Sequence, residues 1–203
     1  MIKNVIFDIG NVLIDFQPDL YFKEMIANHE LRKHLCDIIF HSPEWLAVDE
    51  GTLDYDDCEA ILLKQHPSDS SNIKMMIDTW MKMMIVKEEV LSYAYSLKKE
   101  GYKIYLLSNL SAGSHDYIRN INNFFDEFDG FVLSYEVGLV KPDAEIYKTL
   151  LRKYELRSTQ CIFIDDLKAN IEQAIALGIH GVVFNNFKQV SEAVQSIIEE
   201  EVC

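Results

Sequence analysis

Residues 6–15 read IFDIGNVLID: apolar positions on both sides, one carboxylate at Asp8, then Gly10-Asn11 before the apolar run resumes. Taken with the two residues before it, the segment NVIFDI (4–9) is short, continuous and rich in branched and aromatic side chains. Such a run lacks the alternation of a half-exposed strand and fits one covered on both faces, as in a parallel sheet. Three more runs share this character, KIYLLS at 103–108, GFVLS at 130–134 and CIFIDD at 161–166, and GVVFN at 181–185 makes a fifth. Helical patterns separate them at 88–100, 115–125, 143–154 and 168–177; Gly101 and Gly178 follow two of these, where a left-handed cap is expected. Strand and helix alternate, so the sequence predicts an α/β fold, a Rossmann-like doubly wound parallel sheet with right-handed crossovers.

The interval between the first two strands is too long for one crossover. Residues 16–87 are helical in pattern almost throughout, broken near Pro43, Gly51 and Pro67. They are expected to form a helical cap inserted over the sheet's edge, with residues 1–15 and 88–203 making the core domain. Within the insertion, MMIDTWMKMM (75–84) carries five methionines and Trp80. It reads as packing surface rather than as an adaptable substrate contact.

The chain has 203 residues with 33 acidic against 19 basic side chains, a formal charge of −14. That balance argues against nucleic acid, whose phosphates need a cationic surface, and against anionic lipid. A small anionic ligand held in a local cationic pocket remains compatible with it. Cys36, Cys58, Cys161 and Cys203 are scattered, with no Cys-x-x-Cys pair, which speaks against a zinc site or a disulfide framework. The N-terminus lacks a signal-peptide pattern, and no run nears the roughly 20 apolar residues of a membrane span. A cytoplasmic monomer or homodimer is expected.

In an open parallel sheet the ligand crevice lies beyond the carboxyl ends of the strands. Asp8, Ser108-Asn109 and Asp165-Asp166 stand at predicted strand ends, and Lys141 lies shortly after the strand 130–134. Each alone is compatible with a turn. Converging from four loops, they supply a nucleophilic carboxylate, a hydroxyl, a cation and a carboxylate pair. Clustered carboxylates need a hard cation, and oxygen ligands favour Mg²⁺. Such a cation lets an anionic carboxylate approach a phosphate, while Lys141 and Ser108 hold the other phosphoryl oxygens. Asp8 would then form an aspartyl-phosphate that water hydrolyses.

The order Asp8, Ser108, Lys141-Pro142, Asp165-Asp166 resembles the four motifs of the haloacid dehalogenase superfamily, most of whose members are Mg²⁺-dependent phosphatases. The resemblance covers about 1–15 and 101–186, and the insertion resembles that family's helical cap. It implies a phosphoric monoester hydrolase acting on a small phosphorylated metabolite. Asp8 would be nucleophile and metal ligand, Ser108 and Asn109 would bind phosphate, and Lys141 would orient both. Asp165, Asp166 or both would complete the metal site, with Asn170 bracing their loop.

Gly10 departs from the pattern. Most phosphatases of the superfamily carry a second aspartate there as general acid and base. The Gly10 carbonyl can still coordinate a metal, but proton delivery to the leaving group is lost, an effect of about 10²–10⁴-fold. A good leaving group, water, or a residue of the cap would have to compensate. The variant F-D-x-G-N-V, with YEVGLVKPDAEIY and FIDD, resembles a bacterial subgroup containing α-glucose-1-phosphate phosphatases, so a sugar phosphate such as glucose 1-phosphate is expected. Asp15 is read as a loop or hinge residue, Thr52 as a helix cap, and His29, His34 and His41 as solvated helix faces. Two rival readings are a metal-free carbon–halogen hydrolase, which resembles Ser-Ser-Asn where this chain has Asp165-Asp166, and a non-catalytic phosphate-binding protein. A phosphosugar mutase is disfavoured by the missing position-10 acid.

Overall fold

The structure is a computed structural model and describes residues 1–200; Cys203 and the end of the expected core range lie outside the described residues. Five strands, β1 (Asn4–Phe7), β2 (Lys103–Ser108), β3 (Gly130–Leu133), β4 (Cys161–Asp165) and β5 (His180–Val183), form one sheet of order β3-β2-β1-β4-β5. Every neighbouring pair is parallel. The continuous apolar runs have the cause the sequence suggested. Val5, Phe7, Ile104, Leu106, Ile162 and Ile164 enter one buried cluster, while Ile6, Tyr105, Leu107 and Phe163 enter a second on the opposite face.

Helices seal both faces. Glu88–Lys99 and Phe187–Glu200 pack Val90, Leu91, Ala94, Val190 and Val194 into the first cluster. Ala144–Lys153 and Lys168–Ala176 pack Ile146, Tyr147, Leu150, Ile171 and Ala174 into the second. The chain winds to one side of β1 through β2 and β3 and to the other through β4 and β5. The order therefore reverses between β1 and β4, which puts a crevice beyond their carboxyl ends.

Several boundaries differ from expectation, β1 ending at Phe7 where the predicted run reached residue 9. The helix predicted at 115–125 spans Ala112–Ile121, because Ser111 caps it by accepting from the Ser114 N–H, and Asn122 is extended. Phe124–Glu127 is a separate turn of helix. The last strand begins at His180, one residue before the predicted run, and ends at Val183.

Between β1 and β2, helices Pro18–Tyr21, His29–Phe40, Pro43–Glu50, Tyr55–Gln65 and Ser70–Thr79 follow one another with no strand of the sheet. Their starts carry local capping: Asn28, Ser42 and Asp54 each accept from a backbone N–H three residues on. The helix cap is thus Asp54 and not Thr52, whose hydroxyl instead donates to the Ala47 carbonyl. Met76, Trp80, Met83 and Met84 are buried, so the methionine-rich stretch packs as predicted. The chain enters and leaves this region side by side, Asp15 N–H donating to Ile85 O at 2.9 Å and Lys87 N–H to Leu13 O at 2.8 Å. Asp15 also pairs with the Lys87 ammonium at 3.2 Å, at this crossing.

Candidate active site

Asp8 follows β1 directly, and its N–H donates to Ile164 O, so the sheet register itself places the carboxylate at the crevice. The Lys141 ammonium donates to Asp8 Oδ1 at 2.8 Å, Asp165 Oδ2 at 2.6 Å and Leu107 O at 3.1 Å. All three charged groups are buried. Asn109 holds the Lys141 loop by its backbone, accepting from Lys141 N–H at 2.7 Å and donating to Lys141 O at 3.1 Å. Ser108, at the end of β2, is buried next to this group and borders the same cavity.

The acidic pair is divided in its engagements. Both Asp165 oxygens are occupied, Oδ1 by Leu167 N–H and Asn170, and Oδ2 by Asn170 and Lys141. Asn170 is buried, and its carbonyl accepts from the Tyr147 hydroxyl at 3.0 Å, so it braces this loop as the sequence suggested. Asp166 is less buried and accepts one hydrogen bond on Oδ2, from Asn11 at 3.0 Å.

One cation faces three carboxylates here. Burial pushes Asp8 up to about 7, with Lys141 opposing the shift and Asp165 adding to it. Burial also raises Asp166. Burial opposes the charge on Lys141, but Asp8 and Asp165 outweigh it and keep its pKa above the ordinary value. Oxygens of Asp8, Asp165 and Asp166 lie within 4.8 Å of one another. A hard divalent cation fits this all-oxygen donor set, and its charge answers the surplus of carboxylate over ammonium.

A cavity of about 800 Å³ opens above the group. Asp8, Ser108, Lys141 and Asp166 form its floor, while Lys33 and Asp37 of helix His29–Phe40 face it from the insertion. His29 and His41 have exposed side chains, as expected of solvated faces, yet both border the cavity. His34 does not; it lies near Asp69 at 3.6 Å.

A model of the haloacid dehalogenase-like hydrolases matches residues 2–178. The chain belongs to the haloacid dehalogenase-like hydrolases. A sesquiterpene phosphatase of Aspergillus oryzae is 27% identical, covering 89% of this chain and 88% of its own. A D-ribitol-5-phosphate phosphatase of Bacteroides thetaiotaomicron is 29% identical over 88% of this chain and 89% of the relative. Among solved structures, a family enzyme from Bacteroides thetaiotaomicron in complex with magnesium and inorganic phosphate superposes with a TM-score of 0.70. It is 22% identical, over 90% of this chain and 94% of its own. That likeness is one of fold.

In this hydrolase the structure gathers every site residue singled out from the sequence: Asp8, Gly10, Ser108, Asn109, Lys141 and Asp166 all line the cavity, and Asp165 is buried against Lys141. Sequence reasoning missed Asn11. Its φ of 55° lies in the left-handed region, where asparagine is among the tolerated residues. Its amide donates to Asp166, and its Oδ1 accepts from Phe16 N–H at 3.0 Å. The Gly10-Asn11 turn signal stood in the sequence without a partner to name. Also missed were Lys33, Asp37 and Asp49, because no local pattern tells which helix face will meet the sheet.

Proposed function

We propose that this hydrolase cleaves a small phosphate monoester through an aspartyl-phosphate at Asp8. The observation that carries the reading is the buried Asp8–Lys141–Asp165 group, with Asp166 beside it, at the floor of a cavity roofed by the insertion. Asp8, Asp166 and the Gly10 carbonyl would hold Mg²⁺ directly, and Asp165, whose oxygens are already occupied, would act through water. The bound cation supplies charge neutralisation that lets a carboxylate approach an anionic phosphoryl group. Lys141 fixes Asp8 Oδ1, leaving its other oxygen to attack phosphorus in line. Ser108 and Asn109 would hold the phosphoryl oxygens from the β2 side. Water then cleaves the acyl-phosphate and restores Asp8.

Residues 16–87 would act as the cap, selecting the substrate and excluding bulk water. The cavity volume accommodates a phosphorylated sugar. Lys33, Asp37, His29 and His41 present donors and acceptors suited to hydroxyls, beside an apolar stretch of wall from Phe16, Leu20 and Phe40. A sugar phosphate such as glucose 1-phosphate therefore remains our substrate assignment, in keeping with the F-D-x-G-N-V resemblance. The three cysteines of the described residues are free and buried, which fits a reducing, cytoplasmic setting. A carbon–halogen hydrolase has no use for a carboxylate pair facing its nucleophile.

The test is phosphate release from a panel of sugar, polyol and nucleotide monophosphates with Mg²⁺, beside Asp8→Asn. Wild-type release abolished by the substitution is expected. Equal release by the variant removes Asp8 from the reaction.

A further inference from the structure

We infer that Asp49, carried by the insertion, is the acid–base residue of this site and takes the place of the side chain that Gly10 lacks. The inference rests on the phosphatase reading and deepens it.

An ideal Cβ at Gly10 would meet no atom within 4 Å. The space beside the nucleophile into which a position-10 side chain would extend is therefore open. Asp49 borders that space. It lines the main cavity together with Asp8 and Gly10, and it lines a second cavity of about 150 Å³ together with Gly10, Asn109 and Trp45. The residue is also fixed in place. It lies in the last turn of helix Pro43–Glu50, its carbonyl accepts from the Ser134 hydroxyl, and the Ser111 backbone lies against its carboxylate.

The other acids on this side of the cavity are otherwise engaged. Asp19 pairs with Arg32 at 2.8 Å and Asp37 lies 3.2 Å from His41, while Asp166 belongs to the metal set. Asp15 is taken by Lys87. Asp49 forms no ion pair among the described residues, and burial pushes its carboxyl up to about 7. A carboxylic acid tuned near the working pH can both give and take a proton. Around it stand Asp8, Lys141, Asp166 and His41 across the cavity, and Tyr55 and Cys58 from the next helix; burial raises both of the latter, which stay neutral.

The proton balance closes. As Asp8 bonds to phosphorus and the ester P–O bond breaks, the Asp49 carboxyl gives its proton to the departing oxygen. The Asp49 carboxylate then takes a proton from the water that attacks the phospho-aspartate. The P–O bond to Asp8 breaks, inorganic phosphate leaves, and both residues return to their starting states.

The test compares two esters with Mg²⁺: an alkyl phosphate, whose leaving group needs a proton, and 4-nitrophenyl phosphate, whose leaving group does not. Asp49→Asn keeps an acceptor for Ser111. It should lower kcat/KM for the alkyl ester by about 10²–10⁴-fold and leave that for the nitrophenyl ester little changed. With the base also gone, a burst of nitrophenolate should precede slow turnover, and intact mass should show phosphorylated protein. Adding Gly10→Asp, for which there is room, should restore alkyl-ester turnover. Asp49→Ser serves as a second variant should the first not fold. Equal loss on both esters without phosphoprotein, or no loss on either, overturns the assignment and leaves the phosphatase reading standing. No Mg²⁺-dependent release from either ester by the wild-type protein overturns both.

Discussion

At the scale of single residues, the site is a contest between burial and charge. Asp8, Asp165 and Lys141 are all buried, and each carboxylate is tolerable because the ammonium lies within 2.8 Å. Removing the partner of a buried charge typically costs about 3–5 kcal/mol. Lys141→Met should therefore lose stability on that order in denaturant titrations as well as activity. A loss of activity with unchanged stability would mean that the triad is not held as described. Asp49 gives a pH prediction with a definite sign. Its folded pKa, about 7, lies above the ordinary 3.8. The stability linked to its neutral carboxyl is complete below about pH 4 and drains away as pH rises towards 7, at no more than about 1.4 kcal/mol per unit. Metal-free wild-type protein should thus show a steeper fall in stability from pH 5 to 7 than Asp49→Asn. Parallel curves would place the titration elsewhere.

At the scale of elements, the insertion is joined to the sheet domain by specific seats. Tyr55 of helix Tyr55–Gln65 shares its hydroxyl with Ser111 and Ser114 of the capped turn after β2, at 2.6 and 3.0 Å. Gly51 ends helix Pro43–Glu50 at φ +80°, and a Cβ there would stand 2.7 Å from the Tyr135 carbonyl oxygen. Gly51→Ala is expected to cost about 1–3 kcal/mol, because a left-handed residue gains a side chain and backbone cannot yield as a flexible tip does. Calorimetry should show this, with kcat falling as the helix that carries Asp49 shifts. An unchanged melting temperature would mean that the seat is not formed. The three central strands were legible here because each was a doubly buried apolar run. The Ser111 cap was not, because the segment after β2 is polar and small, with helix periodicity only from residue 115 onward.

At the scale of the whole molecule, the winding order decides where chemistry is possible. Asp8 follows β1 and Asp165 ends β4, the two strands between which the sheet changes direction. Mg²⁺, if held there as proposed, would stabilise only the folded chain, by about 2.7 kcal/mol at a hundred times its dissociation constant. Thermal unfolding should move upward on adding Mg²⁺ and return with chelator, and Asp166→Asn should abolish most of the shift. A full shift in that variant would exclude Asp166 as a direct ligand.

From the sequence alone came the alternation of buried runs and helices, hence the sheet, and the polar groups at strand ends. Both are local: hydrophobic period and strand-end position travel with a few neighbouring residues. That Asn11 would hold Asp166, that Lys141 would occupy an oxygen of Asp165, and that Asp49 would arrive beside Gly10 were decided only by tertiary structure. The first two join residues 155 and 24 positions apart across the sheet, and the third follows from how a helical insertion seats itself on that sheet. No short-range pattern encodes that seating, since it depends on which faces remain apolar once every other element has packed.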